Sequence, residues 1–376
     1  MVAARTRLQA ARLERNWKQS HVLAELRRLA QCYRIPIAEG ASLKTMLSRW
    51  ENGHSGVGAD YRRLFCGIYG KDDAELGFTD QQGVSPSDLA EELRQRLATA
   101  ASVNPSLVRL LAAQTDQLRV MDRQFGALPL LDQMRAHVRH AEELLAHAVL
   151  STQRQPLASV LSDAAALAGW QAIDRAALGQ AWRCHETAKS AAREAESPVL
   201  LAHAAAQQAY ILAELGRPSQ AVAFARETRV AAQGTVPALV TAWLWAVEGE
   251  LAADIGDRRD CLSAFEAADR ALPNDPVDPE LPYVVLDAVH LARWRGSALA
   301  RLRDADAIDY LYVALDAMES GFARARAALH TDLAYAHAAV GDHGQARVHL
   351  RQAGDLAHRI GSTRQRRRVE QLALPA

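Results

Sequence analysis

The sequence predicts an all-α protein. Alanine and leucine dominate it, while β-branched residues are sparse outside short runs, a composition that favours helices. Apolar residues recur at helical spacing through most of the chain. From about residue 157 onward, small residues repeat at intervals close to 40. These observations divide the chain into a helical head (residues 1–78), a linker (79–88), a helical connector (89–156) and an array of helix pairs (157–376).

With 376 residues the chain is long enough for two or three domains. Apolar residues make up 49% and charged residues 23%, the balance of a folded, water-exposed protein. Formal net charge is zero, but residues 1–77 hold 13 Lys+Arg against 8 Asp+Glu, so the head is basic and the body acidic. Cys32, Cys66, Cys184 and Cys261 are scattered and form no C-x-x-C pair. A disulfide framework is therefore not expected, and the cytoplasm is the expected setting. The N-terminus lacks the apolar core of a signal peptide. The longest near-apolar run, Val236 to Val247, is too short to span a bilayer.

In the head, residues 6–16 predict a first helix with Leu8 and Leu13 inward and Arg7, Arg12 and Arg15 outward. A second is expected from Gln19 to Cys32, with Val22, Leu23, Leu26 and Leu29 as its inner stripe. Gln19, at its start, is placed to hold a phosphate. The third, Ser42 to Gly53, organises the rest. Ser42 is expected as its N-cap, Leu43, Met46, Leu47 and Trp50 as its buried stripe, and Asn52-Gly53 as its C-cap. The opposite face carries Lys44, Thr45, Ser48 and Arg49, side chains suited to base edges and phosphates. A helix apolar behind and basic-polar in front suits a helix-turn-helix module entering the major groove. A fourth helix is expected at 59–69 and a short fifth at Asp72 to Leu76.

These segments carry a resemblance. W-x-Q at 17–19, LAELRRLA at 23–30, SLKTMLSRWENG at 42–53, DYRRLFCGIYG at 60–70 and ELGF at 75–78 resemble the Xre/Cro-repressor-like helix-turn-helix regulators of actinobacteria, SRWENG being the most specific part. The resemblance implies a five-helix DNA-binding domain. Carried over by position, it implies Gln19, Asn52, Arg62 and Arg63 as backbone anchors, Lys44, Thr45, Ser48 and Arg49 as base readers or their neighbours, and Trp50 as core. The connection at 33–41 is several residues longer than the compact pattern.

After the polar segment Thr79 to Asp88 come helical patterns at 87–101, 105–124 and 129–150. Then the repeats begin. Ala176, Gly216, Gly256, Leu302 and Gly341 stand at equivalent turns, at intervals of 40, 40, 46 and 39. Five residues after them come Ala181, Ala221, Cys261, Ala307 and Ala346. Seven before them stand Gly169, Ala209, Gly249, Arg295 and Ala334, where small residues let two antiparallel helices approach; Arg295 departs from that rule. The pattern resembles tetratricopeptide repeats with lengthened helices. It implies a superhelix with a concave groove. The domain order resembles actinobacterial regulators that join such a head to such repeats.

By register, Trp170, His203, Tyr210, Trp243, Glu250 and Tyr335 should face the groove, and Asp174, Glu214 and Asp254 share one register in three successive repeats. Taken singly, each reads as helix packing or a solvated carboxylate. Taken as a groove, they point to a bound peptide, small molecule or partner, with the carboxylates available to a cationic group. His137, His140 and His147 share a helix face but lack the clustering of a metal site. Gly53-His-Ser-Gly56 lacks the final glycine of a nucleophile elbow. The run Arg364, Arg366, Arg367, Arg368 suits the end of a helix dipole or a cap on the array.

No catalytic constellation, metal site or cofactor motif is recognised. The expectation is a cytoplasmic, homodimeric transcriptional regulator that binds double-stranded DNA, answers to a peptide or small-molecule effector and spans no membrane. The alternative is a helical-repeat interaction scaffold without specific DNA binding.

Overall fold

The computed structural model describes residues 4–33, 35–38, 40–78, 86–319 and 321–372; the first seven residues of the expected linker lie outside them. The described residues contain helices, turns and loops but no strand. Among them, no helix is long and apolar enough to cross a membrane. The chain forms two compact units, residues 1–92 and 93–376, and the boundary falls within one helix.

The first unit contains α1 (Arg7–Glu14), α2 (Gln19–Tyr33), α3 (Gly40–Glu51) and α4 (Ala59–Tyr69). Thr6 caps α1 by accepting from the Gln9 amide. Leu8, Ala11, Val22, Leu26, Leu43, Leu47, Leu64 and Phe65 form the centre of its core. Leu13 was expected inside but is exposed, and Ala11 takes the inner position. α3 starts at Gly40, two residues before the expected cap Ser42, which lies exposed within the helix. The fifth helix does not form. Asp72 and Glu75 bond each other's backbone amides and close a turn. The Leu76, Gly77 and Phe78 amides continue as turn bonds, burying Leu76 and Phe78 beneath the other helices. The long connection between α2 and α3 is held in place: the Ala38 amide donates to Tyr61 Oη at 2.8 Å, and Ile35 and Ile37 pack on the core.

α5 (Pro86–Ala101) crosses the boundary. The second unit continues with α6 (Pro105–Phe125), α7 (Leu131–His147), α8 (Ser151–Asp174), α9 (Leu178–Glu194), α10 (Pro198–Glu214), α11 (Pro218–Ala232), α12 (Ala238–Asp254), α13 (Arg258–Ala271), α14 (Ala288–Arg301), α15 (Ala307–Ala317), α16 (Ala323–Ala339), α17 (His343–Arg359) and α18 (Thr363–Gln371). Of the expected connector, 89–156, residues 93–156 belong to the same compact unit as the helices after them.

From α8 to α17 the helices pack in successive pairs, and the first helices of successive pairs also touch: α8 with α10, α10 with α12, α12 with α14, and α14 with α16. Short turns join the two helices of each pair, and in each turn one residue takes a left-handed conformation: Ala176, Gly216, Gly256, Arg303 and Gly341. In the fourth pair this residue is Arg303, not the expected Leu302. The correction explains the departure at Arg295. Counting back seven from Arg303 reaches Gly296, where an added Cβ would lie 2.8 Å from Leu311. Gly249 meets Phe265 at 3.0 Å in the same way, and Gly169 meets His185 at 2.6 Å. The small-residue rule therefore holds in all five pairs. The five residues expected on the facing helices, Ala181, Ala221, Cys261, Ala307 and Ala346, are fully buried.

The array closes on itself. α6 touches both α8 and α16, and α18 touches the same two helices. Arg324 of α16 reaches back to Asp122 of α6, and Ser362 donates to Asp174 of α8 at 2.7 Å. Gly126 sits at φ +80°, and any Cβ there would fall 2.0 Å from the Ile360 carbonyl oxygen. The expected open concave groove is instead the interior of a ring of helices.

Candidate functional sites

The first site is the outer face of α3. Leu43 and Leu47 are fully buried and Trp50 nearly so, its ring edge-on to Phe65 at 5.8 Å and beside Tyr61 at 4.7 Å. A helix anchored this way has its other face fixed by the 3.6-residue period. Lys44, Thr45 and Arg49 are exposed there and Ser48 is half-buried. The helix ends as expected. The His54 amide donates to the Arg49 carbonyl and the Gly53 amide to the Trp50 carbonyl, with Gly53 at φ +73°, the double bond of a Schellman cap.

Asn52 Nδ2 donates to the Ser48 carbonyl at 2.7 Å, and Arg62 Nε to the Val57 carbonyl at 2.7 Å. The Arg63 guanidinium lies 5.6 Å from the Tyr33 ring and is exposed. Gln19 is not placed as expected. Its Nε2 donates to Glu51 Oε2 at 2.9 Å. Glu51 is fully buried and also accepts two hydrogen bonds from Arg12, at 2.7 and 2.9 Å. Arg12, expected on the surface, is thus bound across α1 to α3, and Glu51 raises the affinity of its guanidinium for the proton. Gln19 holds a core carboxylate rather than standing free for a phosphate.

The second site is a cavity of about 620 Å³ inside the second unit. It is lined by α6, α8, α10, α12, α14, α16 and α18 and by the segment around Tyr283. The register of the first helices explains the lining. Thirteen residues before each left-handed turn residue come Asp163, His203, Trp243, His290 and Ala328, and all five line the cavity. Two before it come Asp174, Glu214, Asp254 and Arg301, which line it as well. Together with positions nine and six before the turn, these steps trace one helical stripe.

Of the nine residues expected in the groove, Trp170, Asp174, His203, Tyr210, Glu214, Trp243, Glu250 and Asp254 line the cavity together. Tyr335 is not among its lining residues and donates its hydroxyl to the Arg368 carbonyl at 2.9 Å. Trp170 stands edge-on to Tyr210 at 5.7 Å, and His203 lies between Trp243 and Tyr283 at 5.2 and 4.5 Å. Burial, aided by Arg119, pushes His203 down to about 3.

The carboxylates were expected to be available to a cationic ligand, and here the structure corrects the sequence. Arg301 donates to Asp254 and Glu250, each at 2.7 Å. Arg364 binds Glu214 at 2.5 Å. Arg324 takes Asp122 and approaches Asp174 to 3.3 Å. Arg119 binds Asp163, and Arg368 binds Asp332. Burial opposes the charge of Glu250, yet Arg301 and the Tyr210 hydroxyl hold it below the ordinary carboxylate range. These arginines lie on other helices than their partners, so counting along one repeat does not reveal them. The basic run of α18 was partly legible as a cap. Its Arg364 and Arg368 form part of the cavity wall.

The three histidines of α7 separate. His137 is buried with Nε2 2.8 Å from Thr115 Oγ1, His140 is exposed, and His147 Nδ1 bonds the Glu143 carbonyl. No protein-family profile matches this chain, and no curated protein matches it.

Proposed function

We propose that the chain is a DNA-binding transcriptional regulator of the helix-turn-helix type, whose second unit is a tetratricopeptide-like sensor and dimerisation body in the cytoplasm. The observation that carries this reading is α3. Its apolar face is locked by Leu43, Leu47 and Trp50, and Lys44, Thr45 and Arg49 stand exposed on the other face. In this reading Lys44 and Arg49 meet guanine acceptors or phosphates, while Thr45 and Ser48 meet neighbouring bases. In this reading Asn52, Arg62 and Arg63 supply backbone contacts. One such helix offers few base contacts, each contributing about 1–3 kcal/mol. A homodimer reading two half-sites about 34 Å apart, or a multiple of that, supplies the rest. An effector in the cavity regulates it to the extent that it prefers one conformational state.

Selection of bound duplexes from a random pool, followed by gel shifts, tests the proposal. Sequence-specific shifts that weaken in Lys44→Ala and Arg49→Ala are expected. Absence of any specific shift in the unmutated protein would favour the interaction scaffold instead.

A further inference from the structure

The wall of the cavity carries seven arginines and seven carboxylates, so it is balanced in sum but not in place. All seven carboxylates sit in ion pairs with five of the arginines. The other two, Arg123 and Arg293, form no ion pair with a carboxylate of the described residues. Arg123 makes one long bond, 3.2 Å, to the Pro282 carbonyl. Arg293 has its Nε buried without a hydrogen-bond partner.

Both guanidiniums act electrostatically on His290, and all three residues line the cavity. Phe322 joins them, its ring edge-on to His290 at 5.3 Å and 5.8 Å from the Arg123 guanidinium. His290 is 9% exposed. Asp287 accepts from its backbone amide and lies 2.8 Å from Nδ1, while Nε2 is buried without a partner. The carboxylates that bear on Arg293, Glu250 and Asp332, are held by Arg301 and Arg368. Those that bear on Arg123, Asp122 and Asp116, are held by Arg324 and Arg119. Burial lowers all three groups, Arg123 to about 10, and each of the three is further lowered by a neighbouring arginine. Half-buried guanidiniums whose nearby carboxylates are engaged by other arginines are costly to keep charged, and an anion beside them removes that cost.

We propose that Arg123 and Arg293, beside His290, form an anion-binding subsite, and that the cavity takes a small molecule with a carboxylate or phosphate head and a planar apolar body. The body lies against Trp294, Trp243 and Trp170, which line the same cavity. Aromatic faces favour flat apolar groups, and the volume suits a small molecule. This deepens the sensor reading by naming the chemistry of its effector.

The test uses four naphthalene probes of one shape and different charge: 1-naphthyl phosphate, 1-naphthoate, 1-naphthylmethanol and 1-naphthylmethylamine. Each is titrated by calorimetry into the full chain without DNA. The expected result is binding of one or both anions, with the alcohol and amine at least about tenfold weaker. The phosphate and carboxylate arms distinguish the two head groups. Arg293→Gln and Arg123→Gln should each weaken the anions by about tenfold or more, while Arg293→Lys recovers part of the loss. Melting curves without probe confirm that the variants fold; if one does not, the other and Arg293→Lys carry the comparison. The proposal is overturned if neither anion binds at millimolar concentration. It is equally overturned if the amine or alcohol matches the anions, or if every folded variant binds as the parent does. Since no DNA is present, failure here leaves the gel-shift result standing, and the reverse holds too.

Discussion

Arg324 and Asp122 are 202 residues apart in sequence and joined by two hydrogen bonds, Nη1 to Oδ2 at 2.6 Å and Nη2 to Oδ1 at 2.8 Å. Both side chains are largely buried, at 13% and 2% exposure. The neighbouring carboxylates raise the proton affinity of Arg324 despite the burial that opposes its charge. Removing one partner of such a pair leaves a buried charge and typically costs about 3–5 kcal/mol. Arg324→Ala should therefore lower the urea midpoint of the second unit sharply. Combining it with Asp122→Ala should cost less than the sum of the two single changes. Additive losses in that cycle would show that the contact does not hold the ring.

The turn at Arg303 invites the opposite result. Arg303 is exposed and sits at φ +58°, where an L side chain is disfavoured by about 1–2 kcal/mol. Glycine occupies the same position in the second, third and fifth pairs. Arg303→Gly is expected to raise stability by up to about 1 kcal/mol, once the greater freedom of glycine in the unfolded chain is counted. A thermal melt that falls instead would mean the arginine side chain matters to the native turn.

Acid should weaken the second unit through its buried histidines. His330, His349 and His337 stack with ring centroids 5.3 and 5.5 Å apart. Tyr312 Oη lies 3.1 Å from Nε2 of both His337 and His349, and His330 and His349 face each other through Nδ1 at 3.1 Å. Two ring nitrogens in contact need one proton between them, so an added proton breaks the chain. Burial, with His349 adding to it, pushes His330 from 6.5 down to about 4, and burial lowers His349 too. Between those pH values the unfolded state binds the proton and the folded state does not. Stability is therefore full above about pH 6.5 and falls as pH drops toward 4, by at most about 1.4 kcal/mol per pH unit for each such histidine. Urea midpoints at pH 7.5, 6 and 5 measure this, and His330→Gln should flatten the slope.

In the first unit, function and stability separate by residue. Lys44→Ala and Arg49→Ala change exposed side chains and should leave the unfolding free energy within about 0.5 kcal/mol of the parent. On the proposed function they should weaken operator binding and reduce its salt dependence. Glu51→Ala removes a fully buried carboxylate that accepts from Arg12 and Gln19. It should cost about 3–5 kcal/mol in folding, with DNA binding lost only because the unit unfolds. Chemical denaturation beside the gel shift separates the two outcomes.

What the sequence revealed and what it hid follow one physical division. Local periodicity placed Trp50 inside and Lys44 outside, and it put Trp170, Tyr210 and Trp243 on one stripe, because a helix converts spacing into direction. It did not pair Glu214 with Arg364 or Asp174 with Arg324, since such contacts depend on which distant helices become neighbours. Gln19 failed for the same reason: its partner Glu51 lies 32 residues on. The slip at Leu302 was local. A left-handed turn is signalled by glycine, and Arg303 gave no such signal, although Gly296 seven residues earlier marked the true register.

A row of helix pairs open at both ends can shed its outermost member while the middle stays folded, because each pair leans only on its neighbours. Here α6 and α18 each lean on both α8 and α16, so neither of those helices is terminal. Backbone amides at the start and finish of the series should then exchange with solvent as slowly as those at its centre, released by one shared opening rather than by fraying.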